Sequence, residues 1–391
     1  MIDRDATQRL KSLAGQFPAV LLTGPRQSGK STLCKAVFQR LPYATLESPD
    51  VRAFALEDPR GFLAQFPQGA VLDEIQNCPQ LPSYLQELVD ADPTPGRWVL
   101  TGSQNLSVMQ SASQSLAGRC GVLRLLPLAR SEVVRFKNHP QTLNEALLTG
   151  GYPRILDRAL PASEWLSAYV ATYLERDVRS LSKLGDLTSF QRFTQLCAGR
   201  TGQLLNLSSL ASDGGVSQPT AKSWLSVLEA SFLVFRLPSF HGNVSKRLIK
   251  MPKLHFYDSG LACWLLGIRD VDQLNVHPLR GAVFESWVVS EILKHRLSRG
   301  EENGVFFFRD KAGLECDALV PQAKSTVLLE VKAGQTIASD MAASLLRIGG
   351  QWPKSPPSTA PVVIYGGNER QVRNGIDYLP WHAIQDYPWV G

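Results

Sequence analysis

Gly24-Pro25-Arg26-Gln27-Ser28-Gly29-Lys30-Ser31-Thr32 spells G-x-x-x-x-G-K-[ST], and the hydrophobic period of the chain changes across it. Before it, Ala19-Val20-Leu21-Leu22 is a short uninterrupted apolar run, as in a parallel strand buried on both faces. After it, Leu33, Val37 and Phe38 recur at three-to-four spacing, which is helical. The glycines therefore fall at a strand-to-helix turn, where unpaired amides and the positive end of the helix dipole face an anion. Gly24 and Gly29 let the backbone bend tightly around phosphates. Residues 24–32 are thus expected to bind a nucleoside triphosphate, with Lys30 reaching the β and γ phosphates and the Ser31 hydroxyl holding Mg2+. A turn rich in Gly and Ser that binds nothing is the alternative. The expected fold class is α/β, beginning with a P-loop NTPase parallel sheet.

A second element agrees with the first. Ala70-Val71-Leu72-Asp73-Glu74 is an apolar strand ending in two carboxylates. Asp73 is expected to orient the Mg2+ water shell and Glu74 to polarise the water that attacks the γ-phosphate. The alternative is a solvated helix start in a turn region that also holds Pro79 and Pro82. A third strand, Trp98-Val99-Leu100-Thr101, ends at Gly102-Ser103-Gln104, and a polar group there, Ser103, is placed to sense the γ-phosphate or else to cap the next helix. Arg119, in Ser115-Leu116-Ala117-Gly118-Arg119 ahead of a strand expected at 122–126, is read two ways: as a catalytic phosphate contact in its own chain or a neighbour's, or as a structural ion pair.

The 391 residues, 44% hydrophobic and 19% charged, suffice for two or three domains with real cores. No apolar run approaches the ~20 residues of a membrane span, and Met1-Ile2-Asp3-Arg4-Asp5 lacks a signal-peptide pattern, so the expectation is a cytoplasmic protein with no membrane partner. The six cysteines are scattered without C-x-x-C pairs, which points to free thiols rather than disulfides or zinc. The Pro/Ser-rich stretch from Pro353 to Pro361 reads as a loop.

The ATPase part is expected to span 1–145, followed by a helical and winged helix-turn-helix region at 146–265 and a nuclease-like α/β domain at 266–391. Gly150-Gly151-Tyr152-Pro153 is a turn, and Glu164 to Leu181 reads as a long amphipathic helix. Residues 201–256 hold two helical stretches around Asp213-Gly214-Gly215, then extended segments at 232–237 and 255–257, which suggests a winged helix. Six basic residues (Lys222, Arg236, Lys246, Arg247, Lys250, Lys253) against two acids (Asp213, Glu229) give this window +4 of the chain's formal +6. Such a balance suits DNA phosphates, although winged helices also serve as internal packing modules.

Farther on, a helix over 281–297 carries Glu285, and strands at 314–320 and 327–331 are joined by the turn 322–325. Alternation puts Asp317 on the face opposite Cys316, Ala318 and Val320, and puts Glu330 and Lys332 on a shared face. Asp317, Glu330 and Lys332, with Glu285, form the pattern of a metal-dependent nuclease site. A buried Glu-Lys ion pair in a fold without metal satisfies the same charges.

Taken together, Gly24 to Leu33, Leu72-Asp73-Glu74-Ile75-Gln76, Leu100 to Ser103 and Ser115 to Arg119 resemble the AAA+-type ATPases of bacteria and archaea that carry a carboxy-terminal domain of unknown function. Tyr257-Asp258-Ser259-Gly260-Leu261-Ala262, Phe284-Glu285 and Glu330-Val331-Lys332 are similar to that second domain, regarded as a winged helix joined to a fold like the PD-(D/E)xK nucleases. The resemblance covers nearly the whole chain. It implies ATP rather than another nucleotide, Mg2+, and nucleotide contacts by Lys30, Ser31, Asp73, Glu74, Ser103 and Arg119. It also implies a nuclease-like site at Asp317, Glu330 and Lys332, with DNA and further copies of the chain as partners to consider. The Pro-Asp dipeptide that names the nuclease superfamily is absent, since Asp317 follows Cys316. Two functions follow: an ATPase whose later domains bind DNA, with or without cutting it, or a nucleotide switch acting on a protein partner. A small-molecule kinase shares the loop, but there is no arginine-rich lid, and Asp73-Glu74 favours water as the acceptor.

Overall fold

The structure, a computed structural model, describes residues 2–103, 116–174, 187–240, 250–302, 304–352 and 358–390. It divides into two compact units, one of residues 1–128 with 230–232 and 297–300, the other of 129–229, 233–296 and 301–391.

In the first unit, β1 (Ala19–Thr23), β2 (Tyr43–Thr45), β3 (Ala70–Asp73), β4 (Trp98–Gly102) and β5 (Cys120–Arg124) form a parallel sheet in the order β2-β3-β4-β1-β5. Every residue of β1, β3 and β4 is buried, because helices cover both faces. Alternation sorts the side chains. Ala19, Leu21, Leu72 and Leu100 pack with Phe62 and Leu85 on one face, while Val20, Leu22, Val71 and Val99 pack with Leu10 and Leu33 on the other. Each of the Val, Leu and Phe side chains among them contributes roughly 1.5–3 kcal/mol. The order puts β4 between β1 and β3, so the carboxyl ends of three adjacent strands deliver Gly24, Ser103 and Asp73 to one edge.

The second unit contains two sheets. β6 (Gln203–Leu204), β7 (Val234–Leu237) and β8 (Lys253–Phe256) form an antiparallel sheet in the order β6-β8-β7. Helices Leu187–Ala198, Leu207–Gly214 and Gln218–Ala230 accompany it. Asn206 caps the second of these by accepting from the Ser209 amide at 3.0 Å, and Gly215, at φ +67°, ends it in the left-handed conformation that glycine adopts without strain. Phe190 and Phe193 meet Trp224 edge-on at 5.4 Å in the core.

The other sheet comprises β9 (Phe306–Arg309), β10 (Glu315–Pro321), β11 (Ser325–Lys332), β12 (Ser358–Tyr365), β13 (Gln371–Arg373) and β14 (Ile376–Pro380), in the order β13-β14-β12-β11-β10-β9. β9, β10 and β11 are antiparallel, whereas β12 runs parallel to β11 and to β14. The helix Arg280–Leu297 lays Val283, Phe284, Val288 and Ile292 on one face of it, and the helix Ala343–Gln351 lays Leu345 and Ile348 on the other.

Three sequence expectations change here. The stretch read as a loop to Pro361 enters β12 from Ser358, with Pro361 in register with Leu328. Proline has no amide to donate, so it hid a strand that the apolar run 362–365 completes. The long helix read from Glu164 is an α-helix Ala162–Tyr169 followed by a π-helical turn Val170–Leu174, and 175–181 lie outside the described residues. The strict alternation expected over 314–320 also fails. Register shifts between Cys316 and Leu319, so Cys316 joins the core under Ala343–Gln351 while Ala318 and Val320 join the opposite one. Among the described residues, no helix is long and apolar enough to cross a membrane, and the six cysteines are free.

Candidate functional site

The loop after β1 turns through Gln27 at φ +61° and Gly29 at φ +95°, and Gly29 precedes the helix Lys30–Val37. A Cβ at Gly24 would sit 2.0 Å from the Leu125 carbonyl oxygen, so only glycine fits there. Lys30 is 4% exposed, and its Nζ donates to the carbonyls of Gly24 at 2.9 Å and Pro25 at 2.8 Å. Burial pulls its pKa down to about 8, although Glu74 and Asp73 pull it upward. The Ser31 hydroxyl donates to Asp73 Oδ1 at 2.9 Å. Gln27 and Thr32 are exposed, and Arg26 lies 3.8 Å from the Glu47 carboxylate.

Asp73 is held by more than Ser31. Tyr43 at the start of β2 donates its phenol to Oδ2 at 2.6 Å, and Thr101 on β4 donates its hydroxyl to Oδ1. Its neighbour Glu74 stands at φ +58°, a left-handed conformation costly for a residue with a Cβ. The Glu74 carboxylate accepts from Ser103 Oγ at 3.0 Å and from the Gln76 amide, while Gln76 also donates to Ser103 at 2.9 Å. The hydroxyls of Thr23 and Ser28 are buried without a hydrogen-bond partner. An ammonium held by its own loop, a hydroxyl-carboxylate pair and two orphaned hydroxyls are a donor set that fits a triphosphate with a hard divalent cation. Tyr43 lies in none of the motifs, and Gln76 and Thr101 lie in two of them without an assigned role, because these contacts depend on strand neighbours remote in sequence.

Arg119 is not brought to this edge. It precedes β5, whose Cys120 is in register with Ala19 at the start of β1, five strand residues or roughly 15 Å from the loop. Its guanidinium pairs with Asp90, Nη2 to Oδ2 at 3.0 Å. Gln104 and Ser115 lie outside the described residues.

The second constellation forms where β10 and β11 part. Their ladder ends at Ala318 and Leu329, and beyond it Asp317 Oδ2 accepts from the Val331 amide at 2.8 Å. Lys332 Nζ donates to Glu330 Oε1 at 2.6 Å. Glu285, on the helix, is joined to this group through Lys253 of β8. The Lys253 ammonium is 2.8 Å from Glu285 Oε1 and 3.6 Å from Asp317 Oδ1, and it pairs with Glu315, which Arg309 also contacts at 3.1 Å. Burial, with Asp317 close by, pushes Glu285 up to about 8 and Glu330 up to about 7. Burial opposes the charge on Lys253, but Glu285, Asp317 and Glu315 together hold its pKa above the usual lysine range. Among the described residues, no group of three or more His, Cys, Asp or Glu is arranged to hold a metal ion.

That geometry changes the charge count of 201–256. Lys253 is 2% exposed and committed inward, and Arg236 pairs with Glu229 at 2.5 Å. Lys222 and Lys250 remain exposed, whereas Lys246 and Arg247 lie outside the described residues.

Residues 16–134 match the model of an AAA domain, and the chain therefore contains a nucleotide-binding ATPase domain of AAA type. Residues 140–272 and 280–384 match two domains of unknown function, DUF8612 and DUF4143. An uncharacterized protein of Mycobacterium tuberculosis, Rv2008c, is 31% identical over 336 residues, covering 85% of this chain and 74% of its own length, and its Mycobacterium bovis counterpart Mb2031c gives the same values. Among solved structures, the Walker-type ATPase of Pyrococcus abyssi is 17% identical with a TM-score of 0.47, over 68% of this chain and 96% of that one. RuvB of Thermotoga maritima is 18% identical with a TM-score of 0.34, over 61% and 90%.

Proposed function

We propose that this chain, which belongs to the same family as the mycobacterial protein Rv2008c, couples Mg2+-dependent ATP hydrolysis in its AAA domain to carboxy-terminal domains that engage DNA. The observation that carries the ATPase reading is the meeting of Ser31, Asp73, Glu74 and Ser103 at the ends of neighbouring strands, with Lys30 buried in the loop between. Lys30 binds the β and γ phosphates, Ser31 and Asp73 hold the cation and its water shell, and Glu74 polarises the attacking water. The cation, when bound, neutralises charge developing on the phosphates. Ser103, tied to Glu74 in this structure, is the group through which a γ-phosphate releases that carboxylate to act. Any part for Arg119 at a phosphate is played in a neighbouring copy. Glu74→Gln protein is expected to bind ATP as the wild type does but to release phosphate 10²–10⁴-fold more slowly, roughly the size of a general-base contribution. A phosphate-release assay beside calorimetry checks both, and undiminished turnover removes Glu74 from the mechanism.

For the rest of the chain we keep the three-domain reading, 1–145, 146–265 and 266–391. A helix-strand-helix-helix-strand-strand order from 187 to 256 supports a winged helix. A helix, three antiparallel strands, a second helix and a parallel strand from 280 to 365 support the nuclease-like fold. DNA contact rests on the exposed lysines Lys222 and Lys250 and on Lys246 and Arg247. A gel shift should show affinity falling with salt, and Lys222→Ala with Lys250→Ala should flatten the log-log slope by about 2. Affinity that ignores salt rules this interface out. The buried Lys253 amid Glu285, Glu315 and Asp317 favours the second reading, a nucleotide-dependent switch with a catalytically silent nuclease-like domain, over active cleavage.

A further inference from the structure

We infer that Lys253 is a resident cation standing where a divalent metal would sit among Glu285, Glu315 and Asp317, so that the cluster stays metal-free while this lysine is in place. A metal bound there would need oxygens converging at about 2.0–2.2 Å from one point. The carboxylates do not converge that closely among the described residues; the space between them holds the ammonium, 2.8 Å from Glu285 Oε1 and 3.6 Å from Asp317 Oδ1, with Glu315 paired as well. Its side chain is 3% exposed and its charge lies 5.5 Å from the centre of the Phe307 ring.

A second observation marks the pocket as built for more positive charge than it holds. Glu330 is 8% exposed, and its Oε2 is buried with no hydrogen-bond partner, while Oε1 takes Lys332. Four carboxyl groups (Glu285, Glu315, Asp317, Glu330) thus face three cations (Lys253, Lys332, Arg309), a shortfall that protonation of a buried glutamate makes up.

The lysine is held in place by its strand. Two residues along β8, and so on the same face, His255 Nδ1 lies 2.9 Å from Ser286 Oγ, and Ser286 is also 2.6 Å from Thr201 Oγ1. Ser286 follows Glu285 on the helix. The strand is therefore pinned to the helix one residue from the carboxylate that Lys253 meets, which fixes the backbone from which the ammonium reaches the cluster.

The inference rests on the nuclease-like reading only for the idea that a metal belongs there. Mn2+ alone is the probe, with full-length, nucleotide-free protein carrying Asp73→Asn to silence the AAA-domain cation site. In this background no Mn2+ is expected at the cluster by calorimetry. Adding Lys253→Met, or Lys253→Gln as a milder variant, should create one Mn2+ site at least roughly 100-fold tighter than any residual binding, with a rise in melting temperature on adding Mn2+. Asp317→Asn on top should abolish both, and Lys253→Arg should bind none. Mn2+ binding by the Lys253 protein that Asp317→Asn removes would overturn the inference while favouring an active nuclease. Folded Lys253→Met and Lys253→Gln proteins that both bind no Mn2+ would overturn it too, leaving the fold reading untouched. Should either variant need Mn2+ to fold, that dependence, lost with Asp317→Asn, is itself the expected result.

Discussion

Lys30→Ala protein is expected to bind ATP at least about 100-fold more weakly than wild type and to show no turnover above background. The size follows from where the ammonium sits. It is buried, its hydrogen-bond partners among the described residues are the Gly24 and Pro25 carbonyls, and both are acceptors that a triphosphate oxygen outcompetes because it carries charge. A pH dependence accompanies it. With burial pulling Lys30 to about 8 in the free protein, binding above that pH must take up a proton. Affinity should then fall as pH rises past 8, by up to tenfold per unit, until a triphosphate can no longer hold the ammonium.

Stability moves the other way. A lysine whose folded pKa is lowered costs stability below that pKa, and the cost fades as pH climbs from about 8 towards its unfolded value. Lys30→Met protein should therefore melt no lower than wild type near pH 7, which separates lost binding from lost folding. Calorimetry of Lys30→Ala that returns wild-type affinity would discard the reading of this loop.

Lys253→Met carries the other large effect. Removing one partner from a buried ion cluster leaves charges without compensation, at a cost of about 3–5 kcal/mol. The Lys253 side chain is 3% exposed and is shared by Glu285, Glu315 and Asp317, so no solvent replaces it. For a unit of some 250 residues this corresponds to a melting temperature lower by roughly 6–15 °C. Asp317→Asn added to Lys253→Met should return part of the loss, because it removes a carboxylate that the lysine no longer faces. A melting curve for Lys253→Met that overlays wild type would mean that the lysine is not bound as the structure has it.

The phosphate loop was legible because its signal is local. An unbroken apolar run before Gly24 and a period near 3.6 after Gly29 lie within about twenty residues, and glycine alone tolerates the approach of the Leu125 carbonyl. The paired strands at 315–321 and 325–332 were legible for the same reason, a short polar turn between alternating runs. What failed locally was also informative. Pro361 concealed a strand that pairs with β11 across 33 residues of sequence, and the register shift at Cys316 broke an alternation that no residue type announced.

The sequence by itself determined that an anion-binding turn joins a strand to a helix, that two carboxylates end another strand, and that a Glu-x-Lys strand lies near an aspartate. Only the tertiary structure decided that β4 lies between β1 and β3, which brings Thr101 and Ser103 against Asp73 and Glu74 and leaves Arg119 at the other end of the sheet. It alone turned Lys253 from one more basic residue facing DNA into the counter-ion of a buried acidic cluster. The physical reason is range. Backbone preference and hydrophobic period act over a few residues, whereas strand order and the pairing of buried charges are settled by desolvation among groups that the chain joins only on folding.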